Sequence, residues 1–584
     1  MPRIRSVAAS LDRRSFLAAA GAVSASTGIG LAVGLSGGEA NAARPAAARP
    51  EAGTALTSRK APAAPLTPYI SGTTLHSTSA PRPAGQGYVR LGEGPGWERV
   101  VRTDLAAPES GRADRRTALA AFVQFTDLHI VDTQHPLRYE YVRAETSSAW
   151  RPQETLSVAG AVALVERVNA LRGAPATGAP LSFVMTTGDN TDNNSRAELD
   201  WFLRTMSGGS VTPNTGDPRH YEGVQDSGLK QYWHPDRADF RDADKQLGFP
   251  AIPGFLEAAT REVRSPGLNL PWYSTVGNHD SLPGGCYASG DAWFHEFAVG
   301  GKKLMSLPED RAAAFWKSVK KGRDPKGEQF RELMRTERKR LRSITPDASR
   351  APFTPTEYVR AHLDPAYAGP GPIGHGYTRE NVDAGTQYYA FRIADDVLGI
   401  SLDTTDPAGH YEGSLGTAQL DWLERELTRA EQDGSYVVVF SHHTSTSMRN
   451  LRPDPDRPRE ARHGGEEVLE LLGRHSRVLA WINGHSHRNR ITPHGSFWEI
   501  TTASHIDHPQ LARVVELVDN HDGTLSVLTT LIESSAPHRT DLADLSQPGL
   551  GALYRELAFN APGRKPDLGG DRDDRNTELV LRKG

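Results

Sequence analysis

From about residue 120 to residue 500, short β-branched or aromatic runs alternate with stretches of helical spacing. Phe122–Phe125, Phe183–Met185, Trp272–Val276, Tyr388–Ile393, Leu398–Leu402, Tyr436–Phe440, Val478–Ile482 and Phe497–Thr501 read as strands. Val158, Val162, Val165, Val168 and Leu171 recur at helical spacing, as do Leu420, Leu423 and Leu427. Alternation of this kind predicts α/β layering around sheets. Tyr88–Leu91 and Trp97–Val101 read as short strands that open the folded part, taken as residues 69–533.

Two stretches exceed what a minimal α/β domain needs and read as insertions: about 203–268, rich in Gly, Pro and Asp, and about 286–385. The second contains a basic stretch, about Arg311–Arg342, that reads as helical. Its Lys and Arg suit a solvated helix, or alternatively the steering of an anionic substrate or contact with an anionic polymer. From about Ser534 the strand pattern fades, so residues 534–584 read as a packed appendage or a tail.

The first 42 residues are an address rather than a fold. Arginines, an Arg13-Arg14 pair before Ser15-Phe16-Leu17, a small-residue apolar run and Ala40-Asn41-Ala42 follow the order of a signal peptide. The arginine pair resembles a twin-arginine export signal, so the precursor is expected to use that machinery and the mature chain to be secreted or envelope-located. Residues 43–68 are an Ala/Pro-rich linker. No later stretch is apolar enough for a stable membrane span. At 37% hydrophobic and 24% charged residues the chain is ordinary globular protein, and its net charge of −4 gives no case for nucleic-acid binding. A single cysteine, Cys286, excludes a disulfide framework and Cys-rich metal sites. Metal chemistry, if present, must use His, Asp and Asn.

Those residue types cluster at predicted strand ends. Asp127-Leu128-His129, Gly188-Asp189-Asn190-Thr191-Asp192, Gly277-Asn278-His279-Asp280, Ser441-His442-His443 and Gly484-His485-Ser486-His487 each follow a strand. Strand C-termini in α/β sheets face a common crevice, and imidazole with carboxylate and amide oxygen suits divalent Mn, Fe or Zn. In an extended segment the D-x-H and H-x-H spacings place two side chains on one face.

This set, in this order, resembles the calcineurin-like metallophosphoesterase superfamily, whose blocks are D-x-H, G-D-x-x-D, G-N-H-D/E, a His after a strand, and G-H-x-H. Leu402-Asp403-Thr404-Thr405, Gly413–Gly416 and Gln419–Leu423 further resemble the subgroup of class III cyclic-nucleotide phosphodiesterases and glycerophosphodiesterases. The resemblance implies a four-layer α/β/β/α sandwich of two mixed sheets. It implies two divalent ions, one held by Asp127, His129 and His487, the other by Asn278, His442 and His485, with Asp189 bridging. His442 is preferred as ligand because it is the first His after its strand; His443 is the alternative. His279 is expected to face the phosphate, oriented by Asp280. Asp192 is either near a metal or in a turn, Asn190 is near substrate or in a local turn, and His375, His410 and Ser504–His508 are surface residues or substrate contacts.

The implied chemistry is hydrolysis of a small-molecule phosphate ester, with phosphodiesters favoured over monoesters, by hydroxide generated at paired cations about 3.5–4 Å apart. A broad phosphomonoesterase using the same site, and a non-catalytic envelope-binding protein on the same scaffold, are the alternatives.

Overall fold

The computed structural model describes residues 67–82 and 87–584. The expected signal segment 1–42 and nearly all of the expected linker lie outside them. Thirteen strands build two mixed sheets. In chain order they are β1 (Val100–Arg102), β2 (Thr117–Phe125), β3 (Val184–Thr187), β4 (Trp272–Thr275), β5 (Tyr389–Ala394), β6 (Val397–Ser401), β7 (Tyr436–Phe440), β8 (Val478–Asn483), β9 (Arg490–His494), β10 (Phe497–Thr501), β11 (Ala512–Asp519), β12 (Thr524–Ile532) and β13 (Thr577–Arg582). One sheet has the order β1-β13-β12-β11-β2-β3-β4 and the other β5-β6-β7-β8-β10-β9. Within them β2, β3 and β4 are parallel to one another, as are β6, β7, β8 and β10.

The sheets pack face to face. Phe122 of β2 meets Phe440 of β7 edge-on at 5.6 Å between ring centres, and Phe183 meets Phe391 of β5 at 5.5 Å. Strand periodicity decides which side chain goes where. On β7, Val438 and Phe440 point into the core between the sheets, while Val437 and Val439 point to the outer face. There they meet helices α3 (Thr417–Gln432) and α4 (Gly465–Gly473) through Leu423, Leu427, Val468 and Leu472. Helix α1 (Ser157–Ala170) covers the other sheet with Val158, Val162 and Val165, and α2 (Arg196–Ser207) lies beside it. The architecture is the expected α/β/β/α sandwich.

Residues 534–584 depart from the sequence reading. They supply α5 (Gln547–Asn560), packed on α1, and β13, which pairs with β12 on one side and β1 on the other. The segment is therefore part of the sandwich. Gly160 of α1 lies directly under Tyr554, and a Cβ there would come within 2.2 Å of the ring. Strands β11 and β12, to which the pattern reading assigned nothing, occupy the centre of the larger sheet and are buried along their length.

The first insertion begins inside α2. It forms a two-stranded pair, Gly209–Val211 with Val263–Ser265, and an apolar cluster in which Trp233 and Phe255 join Leu553 and Tyr554 of α5. In the second insertion the basic stretch is two helices, Glu309–Lys320 and Glu328–Thr336. They are not merely solvated. Phe315, Val319, Phe330 and Leu333 bury one face against Tyr287 and Phe294. Among the described residues no helix is long and apolar enough to cross a membrane.

Candidate metal centre

The five polar blocks leave the C-terminal ends of β2, β3, β4, β7 and β8, and main-chain bonds draw them together. Asp127 N–H donates to the Gly188 carbonyl at 3.0 Å, His129 N–H to that of Asp189 at 2.9 Å, and Gly484 N–H to that of His442 at 3.0 Å. This closeness explains the glycines. A Cβ on Gly277 would lie 2.2 Å from Asp189 Oδ1, and one on Gly484 would lie 1.9 Å from Thr126 Oγ1. The D-x-H and H-x-H segments are not extended, contrary to the spacing argument. Asp127, His129, Asp189, His485 and His487 all have φ between 42° and 61°. Side chains other than glycine rarely adopt this left-handed region, at a cost of about 1–3 kcal/mol each, and such strain concentrates at functional sites.

The result is two adjoining groups of acceptor atoms. In the first, His487 Nε2 lies 3.2 Å from Asp127 Oδ1 and 3.3 Å from His129 Nε2. In the second, His442 Nε2 lies 3.2 Å from Asn278 Oδ1 and 3.1 Å from His485 Nδ1. Asp189 Oδ2 sits between them, 3.1 Å from His442 Nε2 and 3.6 Å from His129 Nε2. Asp189 Oδ1 is occupied, accepting the His279 N–H at 2.9 Å. The structure thus brings together Asp127, His129, Asp189, Asn278, His442, His485 and His487.

Three of the four rings are held from behind, which sets the nitrogen each presents. His442 Nδ1 donates to the Thr187 carbonyl at 2.9 Å. His129 Nδ1 donates to Asp192 Oδ1 at 2.9 Å, and His487 Nδ1 to Asp507 Oδ2 at 2.7 Å. His443 is committed elsewhere: Nδ1 pairs with Thr404 Oγ1 at 2.8 Å and Nε2 donates to the Tyr411 carbonyl at 3.0 Å. Burial and the neighbouring His442 push its pKa down to about 3. Of the two alternatives, the geometry favours His442. The predicted contrast is that His442→Asn removes activity by about 100-fold or more, while His443→Asn costs under tenfold, in steady-state assays of the metal-loaded protein.

The surroundings of several neighbouring residues differ from expectation or choose between its alternatives. Asp280 does not touch the His279 ring. Its carboxylate accepts N–H bonds from Gly277 at 3.0 Å, Asn190 at 3.1 Å and Thr191 at 2.8 Å, so it clamps the β3 and β4 loops together. The His279 ring is oriented instead by the Asp192 carbonyl, which accepts from Nδ1 at 2.5 Å. Asn190 is structural, its amide donating to the Thr275 carbonyl and to Tyr358. His375 is in the core, stacked on Trp272 at 3.5 Å. His410 is buried, its N–H on the Cys286 carbonyl.

Behind the first group lies a buried ionic chain whose arginines no motif announced. Arg138 pairs with both Asp192 and Glu154, and Arg151 holds Asp507 through two bonds of 2.6 and 2.9 Å. Glu154, 1% exposed, joins the two arginines, accepting the Arg151 N–H at 2.6 Å. The carboxylates behind His129 and His487 are thereby tied to one scaffold.

The donor set fits a pair of divalent cations. Asp127 Oδ1 is buried and lacks a hydrogen-bond partner. Oxygen and imidazole acceptors face one another with no donor between them, except where a histidine carries a proton. Burial disfavours charge on these groups and holds the pKa values of His129 and His485 down, but at His487, His442 and Asp127 mutual attraction outweighs it. His487 is raised to about 10 by Asp127 and Asp507, His442 to about 9 by Asp189 and Asp127, and Asp127 is held near 2 by His487. Metal and protons therefore compete. With folded pKa values raised, these imidazoles stabilise the metal-free fold fully below pH ~6.5, and that contribution disappears as pH climbs through about 9 to 10. Thermal melts should show the metal-free protein losing stability between pH 7 and 10 and the metal-loaded protein holding it. Titration of metal into weakly buffered metal-free protein should release protons.

The group opens into a cavity of about 590 Å³. The site forms one wall through His129, Asp189, Asn278, His279, His485 and His487, with Asp507 and His508 at its edge. The second insertion contributes Trp316, Val319 and Lys320 to the lining, and the C-terminal loop after α5 contributes Arg564 and Lys565.

No protein-family profile matches the chain. The manganese-dependent ADP-ribose/CDP-alcohol diphosphatase of Xenopus tropicalis is 30% identical over 105 residues, 18% of this chain and 29% of that protein. The alignment thus spans less than a third of that relative. Among solved structures, a dimetal phosphatase from Danio rerio is similar with a TM-score of 0.34 and 13% identity, over 72% of this chain and 100% of that one. A purple acid phosphatase from yellow lupin (Lupinus luteus) gives 0.27 and 8%, over 75% and 54%.

Proposed function

We propose that this chain is a dinuclear-metal-dependent phosphoesterase of the calcineurin-like kind, exported by its N-terminal signal and acting on phosphodiesters. The observation that carries the reading is Asp189 Oδ2 shared between two three-residue acceptor groups, with His279 beside it. Asp127, His129 and His487 would hold one divalent ion, and Asn278, His442 and His485 the other, with Asp189 touching both. Bound there, such a pair supplies charge neutralisation for an anionic ester and activates water near neutral pH. The neutral Asn278 limits the negative charge of the donor set.

The chain's own residues do the rest. Asp189 fixes the separation of the two groups and orders the His279 backbone through Oδ1. His279 keeps Nδ1 on the Asp192 carbonyl, which leaves Nε2 to bind a phosphoryl oxygen or to give a proton to the departing alcohol. Asp280 keeps the β3 and β4 loops in register. The fragmentary relative is manganese-dependent by name, which makes manganese the first ion to load.

The test uses mature protein from Ala43 onward, stripped and reloaded with Mn, Fe or Zn. Metal-dependent turnover of an aryl phosphodiester in preference to an aryl phosphomonoester is expected. Monoester preference would overturn the substrate class while keeping the site. Bound metal without turnover of either would favour a binding protein.

A further inference from the structure

The cavity is larger than a single phosphoryl group needs, and its charges are unequally matched. The carboxylates on the site wall are engaged: Asp192 by His129 and Arg138, Asp507 by His487 and Arg151. The cations contributed by the second insertion and the C-terminal loop are not. Among the described residues Lys320, Arg564 and Lys565 have no carboxylate within ion-pair distance, although each lines the same cavity. Arg564 is also braced. Its guanidinium lies over the Phe559 ring at 4.3 Å, which leaves its N–H groups for another partner. The three cations come from two parts of the chain distant in sequence, the helix Glu309–Lys320 and the loop after α5, yet border one space with His279 and Asn278. Of the two lining carboxylates outside these pairs, Asp189 belongs to the donor set, and among the described residues Glu145 has no ion-pair partner.

We propose that Lys320, Arg564 and Lys565 form a subsite for a second phosphoryl group of the substrate, carried outside the scissile ester. Trp316 and Val319 of the same helix give the intervening part of the substrate an apolar wall. The proposal rests on the phosphoesterase reading and deepens it: the preferred substrate is a phosphodiester bearing a further phosphate. Guanidinium and ammonium groups converging on one space suit a phosphate dianion, with Arg564 able to bind two of its oxygens at once.

Long-range attraction by the basic helices is a different effect, and the experiment separates the two. Bis(4-nitrophenyl) phosphate is compared with a 4-nitrophenyl phosphodiester whose other alcohol carries a phosphate monoester. The variants are Lys320→Gln/Arg564→Gln/Lys565→Gln and, as a charge-matched control away from the cavity, Lys321→Gln/Lys326→Gln/Lys339→Gln. For the doubly phosphorylated substrate the cavity variant should raise KM about tenfold or more with kcat within about twofold, while bis(4-nitrophenyl) phosphate is little affected. The control variant should leave the ratio of the two substrates unchanged. Calorimetry with inorganic pyrophosphate on metal-free protein should show binding to the wild type and its loss in the cavity variant.

Equal effects of both triple variants, or equal effects on both substrates, would replace the subsite with general steering and overturn the proposal. Absence of turnover by the wild type on both substrates would overturn the phosphoesterase reading alone. The pyrophosphate measurement then still decides the subsite, and unchanged binding in the cavity variant would refute it.

Discussion

Asp189→Ala is expected to lower phosphodiester turnover by about three orders of magnitude and to reduce metal content below two ions per chain. The cause is geometric. Asp189 Oδ2 is the atom common to both acceptor groups, 3.1 Å from His442 Nε2 and 3.6 Å from His129 Nε2. Removing it takes away the carboxylate oxygen shared by both groups and one negative charge from a buried cluster. Stabilisation by paired cations amounts to several kcal/mol, and each 1.4 kcal/mol is a factor of ten in rate. Asp189 Oδ1 also receives the His279 N–H, so the same substitution frees that backbone. Turnover is measured beside elemental analysis and circular dichroism. A folded Asp189→Ala protein that keeps two ions and full activity would remove the bridging role.

Arg138→Met is expected to be the most damaging change to the fold that leaves every proposed ligand in place. Arg138 is 4% exposed and touches Asp192, Glu154 and Glu140. Losing one partner from a buried ionic cluster leaves charges that water cannot reach, at a cost of about 3–5 kcal/mol. Lys303, also buried, reaches Glu140 at 2.8 Å and cannot serve the other two carboxylates from there. The denaturant midpoint of the metal-free variant should therefore fall steeply. Arg138→Lys keeps the charge without the planar fork and should fall between the variant and the wild type. Metal affinity should drop as well, because Asp192 holds the His129 ring through Nδ1. A midpoint unchanged by Arg138→Met would show that the ionic chain contributes nothing to stability.

Much of the sandwich was legible because its strands are buried on both faces and read as continuous β-branched or aromatic runs, as in Val437–Phe440. The donor residues were legible for a related reason. A Gly beside an Asp, Asn or His at a strand end marks a place where backbones approach closely. Gly188, Gly277 and Gly484 are each such a place, with no room for a Cβ.

What escaped has physical reasons too. Asp192 was placed near a metal or in a turn, but neither its pairing with Arg138 nor that of Asp507 with Arg151 could be read, since a carboxylate carries no sequence pattern that names a partner far along the chain. Asp280 lies next to His279 in sequence, yet folding as the third residue of a short helical turn aims its carboxylate at the Gly277 and Asn190 N–H groups. The left-handed backbone at Asp127, His129, His485 and His487 is imposed by tertiary contacts and leaves no compositional trace. Strands β11 and β12 did leave one: Val514–Val518 and Leu525–Leu531 flank an Asp522-Gly523 turn, a hairpin signal. The pairing of the cavity walls was not legible, since Lys320 and Arg564 border one space only after two distant segments fold against the sandwich.

The most direct test of the central claim is the metal content of stripped and reloaded protein, counted per chain by elemental analysis beside diester turnover. Activity should appear as loading approaches two ions per chain, and His442→Asn and His487→Asn should each lower that number. Full activity at one ion per chain, or activity unaffected by stripping, would contradict the claim.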